Sequence, residues 1–354
     1  MSTSVAIIGA SGSVGSALAA HILRSELLKP FDRLQLVGHG ATESEQRLLG
    51  TRVDLLDAFD DERVEIEMVP RIADVDADIV IIAAGSGWSA HHKDRREMAA
   101  SNREIFERIS DHCAQSVPRA LYIVVSNPIE IAVRIFAGKI DRSRVIGMGA
   151  QQDSLRFARA IARDLGISRH EVRASVLGEH GQWMVPLWSS VELVDSPLPA
   201  HNSLERLKKM SQVLPLRERV HALQEEVNEL IQANRVPEAY EAARRALPDA
   251  RVFIEPFITY HCMHSTPNAT ANATLQCLAA ALGEENSRVH AQVLLEGDVL
   301  DLHGVCGVPI TLRRGGWKQE ALHHLTRAES EMVHQAVDSI NEFAASVLSE
   351  PAPI

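Results

Sequence analysis

Short apolar runs closed by glycine or polar residues recur along the first 150 residues, with amphipathic stretches between them. Ser4–Gly9, Leu34–Val37, Ala77–Ala83 and Leu121–Val125 are almost continuously apolar, as strands buried on both faces are, whereas Val64–Val69 alternates with acidic residues. Val145–Ile146 before Gly147 reads as a sixth strand. Between these, Ser13–Leu28 places Val14, Leu18, Ile22 and Leu28 on one helical face, and Asp94–Ser116 is a long amphipathic helix. Strands alternating with helices predict a parallel sheet with helices on both sides.

The rhythm changes after residue 150. Asp153–Leu165 reads as a helix stopped by Gly166, and Val172–Leu177 as a strand. Ser203–Leu247 is rich in charge and helix formers and predicts long helices. Pro248–Thr266, with its aromatics and histidines, reads as a loop-like stretch, and the overlapping Ala246–His264 suits equally a wall of a ligand pocket or a surface for oligomer or helix packing. Val289–Leu295 and Val308–Leu312 predict antiparallel strands, and a last helix spans residues 327–348. With no low-complexity linker in sight, the division expected is 1–150 and 151–354, with a ligand cleft at the packed junction.

Composition narrows the class. Of 354 residues, 45% are hydrophobic and 23% charged, which excludes disorder and coiled coil. No apolar run reaches the roughly 20 residues of a membrane helix, and the opening residues show no basic segment of a secretory signal. Thirty-six basic against 47 acidic residues give a net charge of −11, which repels nucleic acid and anionic lipid. Cysteines 113, 262, 277 and 306 have no paired spacing and read as reduced thiols. A cytoplasmic enzyme acting without nucleic acid or membrane is the expectation.

Gly9-Ala-Ser11-Gly12-Ser13-Val14-Gly15 lies between the first strand and the first helix. In that position a glycine-rich turn lets a pyrophosphate approach the backbone and meet the free N–H groups of the helix start. The second strand ends in Gly38-His39-Gly40 instead of the acidic residue that holds the ribose hydroxyls of NAD. Losing that carboxylate removes a repulsion of a 2′-phosphate, which His39, Thr42, Ser44 or Arg47 would contact. The cofactor expected is NAD or NADP, with NADP slightly favoured.

Gly178-Glu-His180-Gly181 after the seventh strand, Asp153-Ser-Leu-Arg156 on the preceding helix, Ser126-Asn127-Pro128 after the fifth strand, and the glycine loop occur in an order that resembles the lactate/malate dehydrogenase family. The resemblance extends to His264-Ser-Thr266, Gly307-Val-Pro309 and the final helix. It implies an α/β fold: an N-terminal Rossmann doubly wound parallel sheet plus a C-terminal α+β substrate domain. It implies hydride transfer between a nicotinamide and a 2-hydroxy or 2-oxo carboxylic acid, in a homodimer or homotetramer. His180 is then the acid/base, Asp153 its orienting carboxylate, and Arg156 the fork on the substrate carboxylate. Arg95 polarises the carbonyl, Asn127 bonds substrate or nicotinamide ribose, Thr266 lines the pocket, and Asn102 lies on the cofactor side.

Residues 86–96 occupy the place of the family's mobile loop but read Trp88-Ser-Ala-His91-His92-Lys93, without the early arginine that selects malate. The substrate side chain is therefore open. The adjacent histidines lack an obvious third metal ligand, so no metal is expected. A nucleotide-binding regulator without activity is the alternative, and His180, Asp153, Arg156 and Arg95 together argue against it.

Overall fold

The computed structural model describes residues 2–59, 63–85, 95–263, 265–283, 287–322 and 325–349. Six parallel strands build the first half: β1 (Ser4–Ile8), β2 (Arg33–Val37), β3 (Glu65–Val69), β4 (Ile79–Ile82), β5 (Leu121–Val124) and β6 (Val145–Gly147). They lie in the order β3-β2-β1-β4-β5-β6, which reverses direction at β1 and β4. Such a reversal opens a crevice at the carboxyl ends of the strands. The connecting helices are α1 (Ser13–Arg24), α2 (Thr42–Phe59), α3 (Arg95–Ser116) and α4 (Ile129–Ala137). β1, β4 and β5 are buried along their whole length, which explains their unbroken apolar runs. The fold is α/β, with a parallel-dominant sheet flanked by helices.

The second half adds α5 (Gly149–Leu165), β7 (Val172–Gly178), β8 (Met184–Leu193), α6 (Leu198–Ser211), α7 (Leu216–Gln232), α8 (Val236–Arg245), α9 (Pro248–Met263) and α10 (Pro267–Leu282). It ends with β9 (Ser287–Glu296), β10 (His303–Arg313), β11 (Gly316–Gln319) and α11 (Arg327–Leu348). These strands are antiparallel and continue the same sheet: β9 pairs with β6, β10 with β9, β7 and β11, and β8 with β7.

One row crosses this sheet. Ile8 pairs with Ile82, Ile82 with Val124, and Val124 with Gly147. Gly147 pairs with Gln292, Gln292 with Gly307, and Gly307 with Gly178. The segments after β1, β4, β5, β6 and β7 therefore leave the sheet at one level, along one edge.

Several elements differ from the sequence expectation. The first helix stops at Arg24 rather than Leu28, because Ser25 caps it and Glu26 takes a left-handed φ of 55°. The stretch from Pro248 to Thr266, read as loop, is helix α9 through Met263. Pro248 is its first residue, where a missing N–H costs nothing. Its buried Val252, Ile254 and Ile258 pack with α5, α7 and α8 and hold the helix despite the internal Pro256. Thr42, Ser44 and Arg47 belong to α2, not to a turn. β8 and α10 were not foreseen. Pro186 obscures β8, but β8 is a sheet edge, where proline is tolerated.

Candidate active site

α5 and β7 supply the central constellation. Asp153 sits in the first turns of α5 with 1% of its side chain exposed, and Arg156 lies one turn further on the same face. His180 leaves the end of β7. Its Nδ1 lies 2.7 Å from Asp153 Oδ2, while Arg156 Nη1 donates to Asp153 Oδ1 at 3.1 Å. One carboxylate thus spans an imidazole and a guanidinium. With the Nδ1–H donated to Asp153, Nε2 is the nitrogen left for a ligand.

Burial opposes a charged imidazole at this position, but the adjacent Asp153 carboxylate outweighs it and holds the His180 pKa above the ordinary value. Burial likewise opposes ionisation of Asp153, and His180 with Arg156 overrides it, so its carboxyl sits below the usual range. The pair favours imidazolium beside carboxylate, a proton source poised on Nε2.

Two residues that pattern reading missed fix the imidazole. A Cβ on Gly149 would lie 2.5 Å from His180 Cγ, so only glycine lets the ring lie against α5. Glu130, buried near the start of α4, accepts the backbone N–H of His180 at 2.7 Å through Oε1. Gln292 on β9 accepts the Ala150 N–H at 3.0 Å, tying the first turn of α5 to the sheet. Gly149 and Glu130 flank motifs that were legible, but nothing in their spacing shows that they meet His180.

The glycine loop closes tightly. Gly9 has φ 91°, its missing Cβ would lie 2.7 Å from Ala84 N, and a Cβ on Gly15 would lie 2.2 Å from Gly9 O. Gly12 and Ser13 are exposed, Ser11 and Val14 half-buried, and no side chain caps Gly12 at the start of α1. The first-turn amides of this 12-residue helix are thus available to an anion. This cradle fits a dinucleotide pyrophosphate. His39 is exposed after β2, and its N–H donates to Ser44 Oγ at 3.5 Å. A Cβ on Gly38 would lie 2.6 Å from Leu48 Cδ1, so helix packing is itself a reason for glycine there. Arg47 is paired with Glu43.

Asn102 and Asn127 come together: the buried Asn102 Nδ2 donates to Asn127 O at 2.8 Å, leaving the Asn127 side chain exposed past β5. Thr266 precedes α10 and accepts from Gln152 Nε2 at 3.3 Å, one residue from Asp153. Arg95 opens α3. Trp88, His91, His92, Lys93 and His264 lie outside the described residues. Among the described residues, no cluster of three or more His, Cys, Asp or Glu is placed to hold a metal, and no helix is long and apolar enough to cross a membrane.

Comparison with known proteins points the same way. Residues 3–147 match the lactate/malate dehydrogenase NAD binding domain family. The chain is 26% identical over 355 residues to an L-2-hydroxycarboxylate dehydrogenase (NAD(P)(+)) of Methanocaldococcus jannaschii, spanning 97% of this chain and 98% of that protein. It is 29% identical over 348 residues to L-lactate dehydrogenase A of Hordeum vulgare, spanning 96% and 86%. In fold it matches a minor L-lactate dehydrogenase of Enterococcus mundtii with a TM-score of 0.77 over 98% of both chains, at 22% identity.

Proposed function

We propose that this chain, a member of the lactate/malate dehydrogenase family by its NAD-binding domain and its relatives, is an NAD(P)-dependent 2-hydroxy acid dehydrogenase. The carrying observation is the Asp153 carboxylate held between His180 and Arg156. Residues 1–150 bind the dinucleotide, and residues 151–354 supply most of the acid-binding and proton-transfer groups. Gly9, Ser11, Gly12, Ser13, Val14 and Gly15 take the pyrophosphate, Gly38 and His39 face the adenosine ribose, and Asn102 with Asn127 face the nicotinamide side.

The bound nicotinamide supplies or accepts the hydride. The chain supplies geometry and a proton. Arg156 grips the C1 carboxylate with its planar fork. Asp153 fixes the tautomer of His180, whose Nε2–H moves a proton onto the carbonyl oxygen of a 2-oxo acid or recovers it from a 2-hydroxy acid. Arg95, directly after residues 86–94, polarises that carbonyl, and Thr266 borders the substrate. The absence of a carboxylate after β2 favours NADP slightly over NAD.

The test is steady-state reduction of a panel of 2-oxo acids with NADH and with NADPH. Turnover of at least one acid, with kcat/KM higher for NADPH, is expected. No turnover by a protein that still binds dinucleotide would establish the regulatory alternative. Native mass measurement is expected to give a homodimer or homotetramer.

A further inference from the structure

His180 rides on a short connection. β7 ends at Gly178 and β8 begins at its paired residue Met184, so residues 179–183 make the whole turn. Glu179 closes it from within: its N–H donates to Trp183 O at 3.3 Å, and its Oε2 accepts the Trp183 N–H at 2.9 Å. Glu130 holds the His180 N–H from outside. Gly181 brings no side chain and Gln182 is exposed, so the far limb of the turn depends on outside contacts.

Arg217, in the first turn of α7, grips that limb twice. Its Nη1 donates to Gln182 O at 2.5 Å, and its guanidinium carbon lies 4.0 Å from the centre of the Trp183 ring. The Glu179 carboxylate attracts the same cation. A guanidinium over an indole combines electrostatic attraction with broad contact, and its fork keeps N–H groups for a carbonyl. Trp183 packs against the sheet core, so the cation bears on a ring already seated.

The base of this clamp is fixed. Arg219, two residues on, pairs with Asp249 in the first turn of α9 through both Nη atoms, at 2.7 and 2.6 Å, and the two side chains are 13% and 2% exposed. Trp188 Nε1 donates to the same carboxylate at 2.9 Å. Further along, Leu223, Val227 and Ile231 anchor α7 in a helical cluster with α8 and α9 that is separate from the sheet core. A helix seated in one core therefore steadies a turn that belongs to another.

We propose that Arg217 is a positioning residue, which holds the turn 179–183 so that the His180 imidazole keeps its contact with Asp153. The inference rests on the dehydrogenase reading, in which that contact governs the proton on Nε2. The described charged groups that act most on the imidazole directly are Asp153 and Arg156 from α5 and Glu130 from α4. Arg217 works through the turn instead. The two routes have opposite signs. Loss of a neighbouring cation would by itself raise an imidazole pKa, whereas a ring that drifts from Asp153 loses the partner that raises it.

The test is Arg217→Met, which keeps an apolar stem and removes the cation. His180 is titrated by NMR of histidine-labelled protein, its signal identified by its loss in His180→Ala. The imidazole is expected to titrate at lower pH than in the wild type. A displacement of about 1 Å costs roughly 10²-fold in rate, and a loosened turn spends part of its time in register, so kcat for a 2-oxo acid is expected to fall about tenfold. Ile231→Ala, at the other end of α7, controls for lost stability alone: titration and kcat per folded molecule are expected to match the wild type. A His180 titration unchanged or displaced upward in Arg217→Met, an unchanged kcat, or the same losses in Ile231→Ala would each overturn the proposal and leave the dehydrogenase reading intact. If the wild type turns over no acid, the dehydrogenase reading fails, and the titration alone decides whether Arg217 positions His180.

Discussion

α5 carries a carboxylate near each end, Asp153 paired with Arg156 of the same helix and Asp164 with Arg251 of α9, and the two pairs are built in opposite senses. At the N-terminal end Asp153 is 1% exposed, while the side chains of His180 and Arg156 each remain 17% exposed. At the C-terminal end the arrangement is inverted: Arg251 is 2% exposed and Asp164 23% exposed. Arg251 satisfies both Nη atoms with protein oxygens, whereas Arg156 uses Nη1 alone in its bond to Asp153. A buried carboxylate with accessible cations is arranged to receive a further anion. A buried cation with both Nη atoms engaged by protein oxygens is arranged to hold helices together. Burial of charge alone does not separate these roles; the direction in which spare hydrogen-bonding capacity points does.

The largest expected effect is at the open end. His180→Ala is expected to lower kcat by about 10²- to 10⁴-fold in a steady-state assay, with the fold retained by circular dichroism. A loss below tenfold would mean that the proton comes from elsewhere. At the closed end, Arg251→Met removes the guanidinium partner of Asp164 and of three backbone carbonyls, those of Ala160, Arg244 and Ala246. Urea unfolding is expected to show a loss of about 3–5 kcal/mol, with kcat per folded molecule little changed. If His180→Ala were the destabilising change and Arg251→Met the inactivating one, the contrast between the two ends would be reversed.

Gly149→Ala sharpens the comparison by moving the imidazole without removing it. Its added carbon would meet the ring at 2.5 Å. A displacement of about 1 Å costs roughly 10²-fold in rate, so kcat is expected to fall by about that factor. An unchanged kcat would show that the ring does not need its present seat.

The smallest effect is a displacement along the pH axis. The folded-state pKa of His180 is raised, so its stabilising contribution is present below the ordinary imidazole value and is lost as pH rises through the folded value. Asp153 is depressed, so its contribution is present above the ordinary carboxylate value and is lost as pH falls through the lowered one. Reduction of a 2-oxo acid is expected to persist through the ordinary imidazole range and decline at higher pH, with oxidation rising in mirror image. In Asp153→Asn the residual reduction is expected to decline at lower pH than in the wild type. Identical profiles for the two proteins would separate Asp153 from the proton.

Much of the first half was legible because strands buried on both faces must be apolar and must end at turns. Ser4–Ile8, Ile79–Ile82 and Leu121–Val124 announce themselves that way. The Asp153–Arg156 spacing declares a shared helical face, and chain order linked it to His180. What stayed hidden depends on tertiary packing. α9 carries Pro256 and a scattered apolar pattern, and its neighbours hold it in helical form. Glu130 and Gly149 reach His180 across 50 and 31 residues of chain, so no local periodicity reports them. Gly38 misleads in a subtler way, because contact with Leu48 and the nature of the cofactor both bear on the same missing Cβ.

The row of paired positions from Ile8 through Gly147 and Gln292 to Gly178 has a consequence for distant substitutions. Gln292 joins β9 to β6 and, through its side chain, holds the Ala150 amide three residues before Asp153. Slack introduced at this strap would reach His180 before it reached any surface. Gln292→Ala, a buried change at a residue given no part in the chemistry, would thus show itself first as a poorly aimed imidazole.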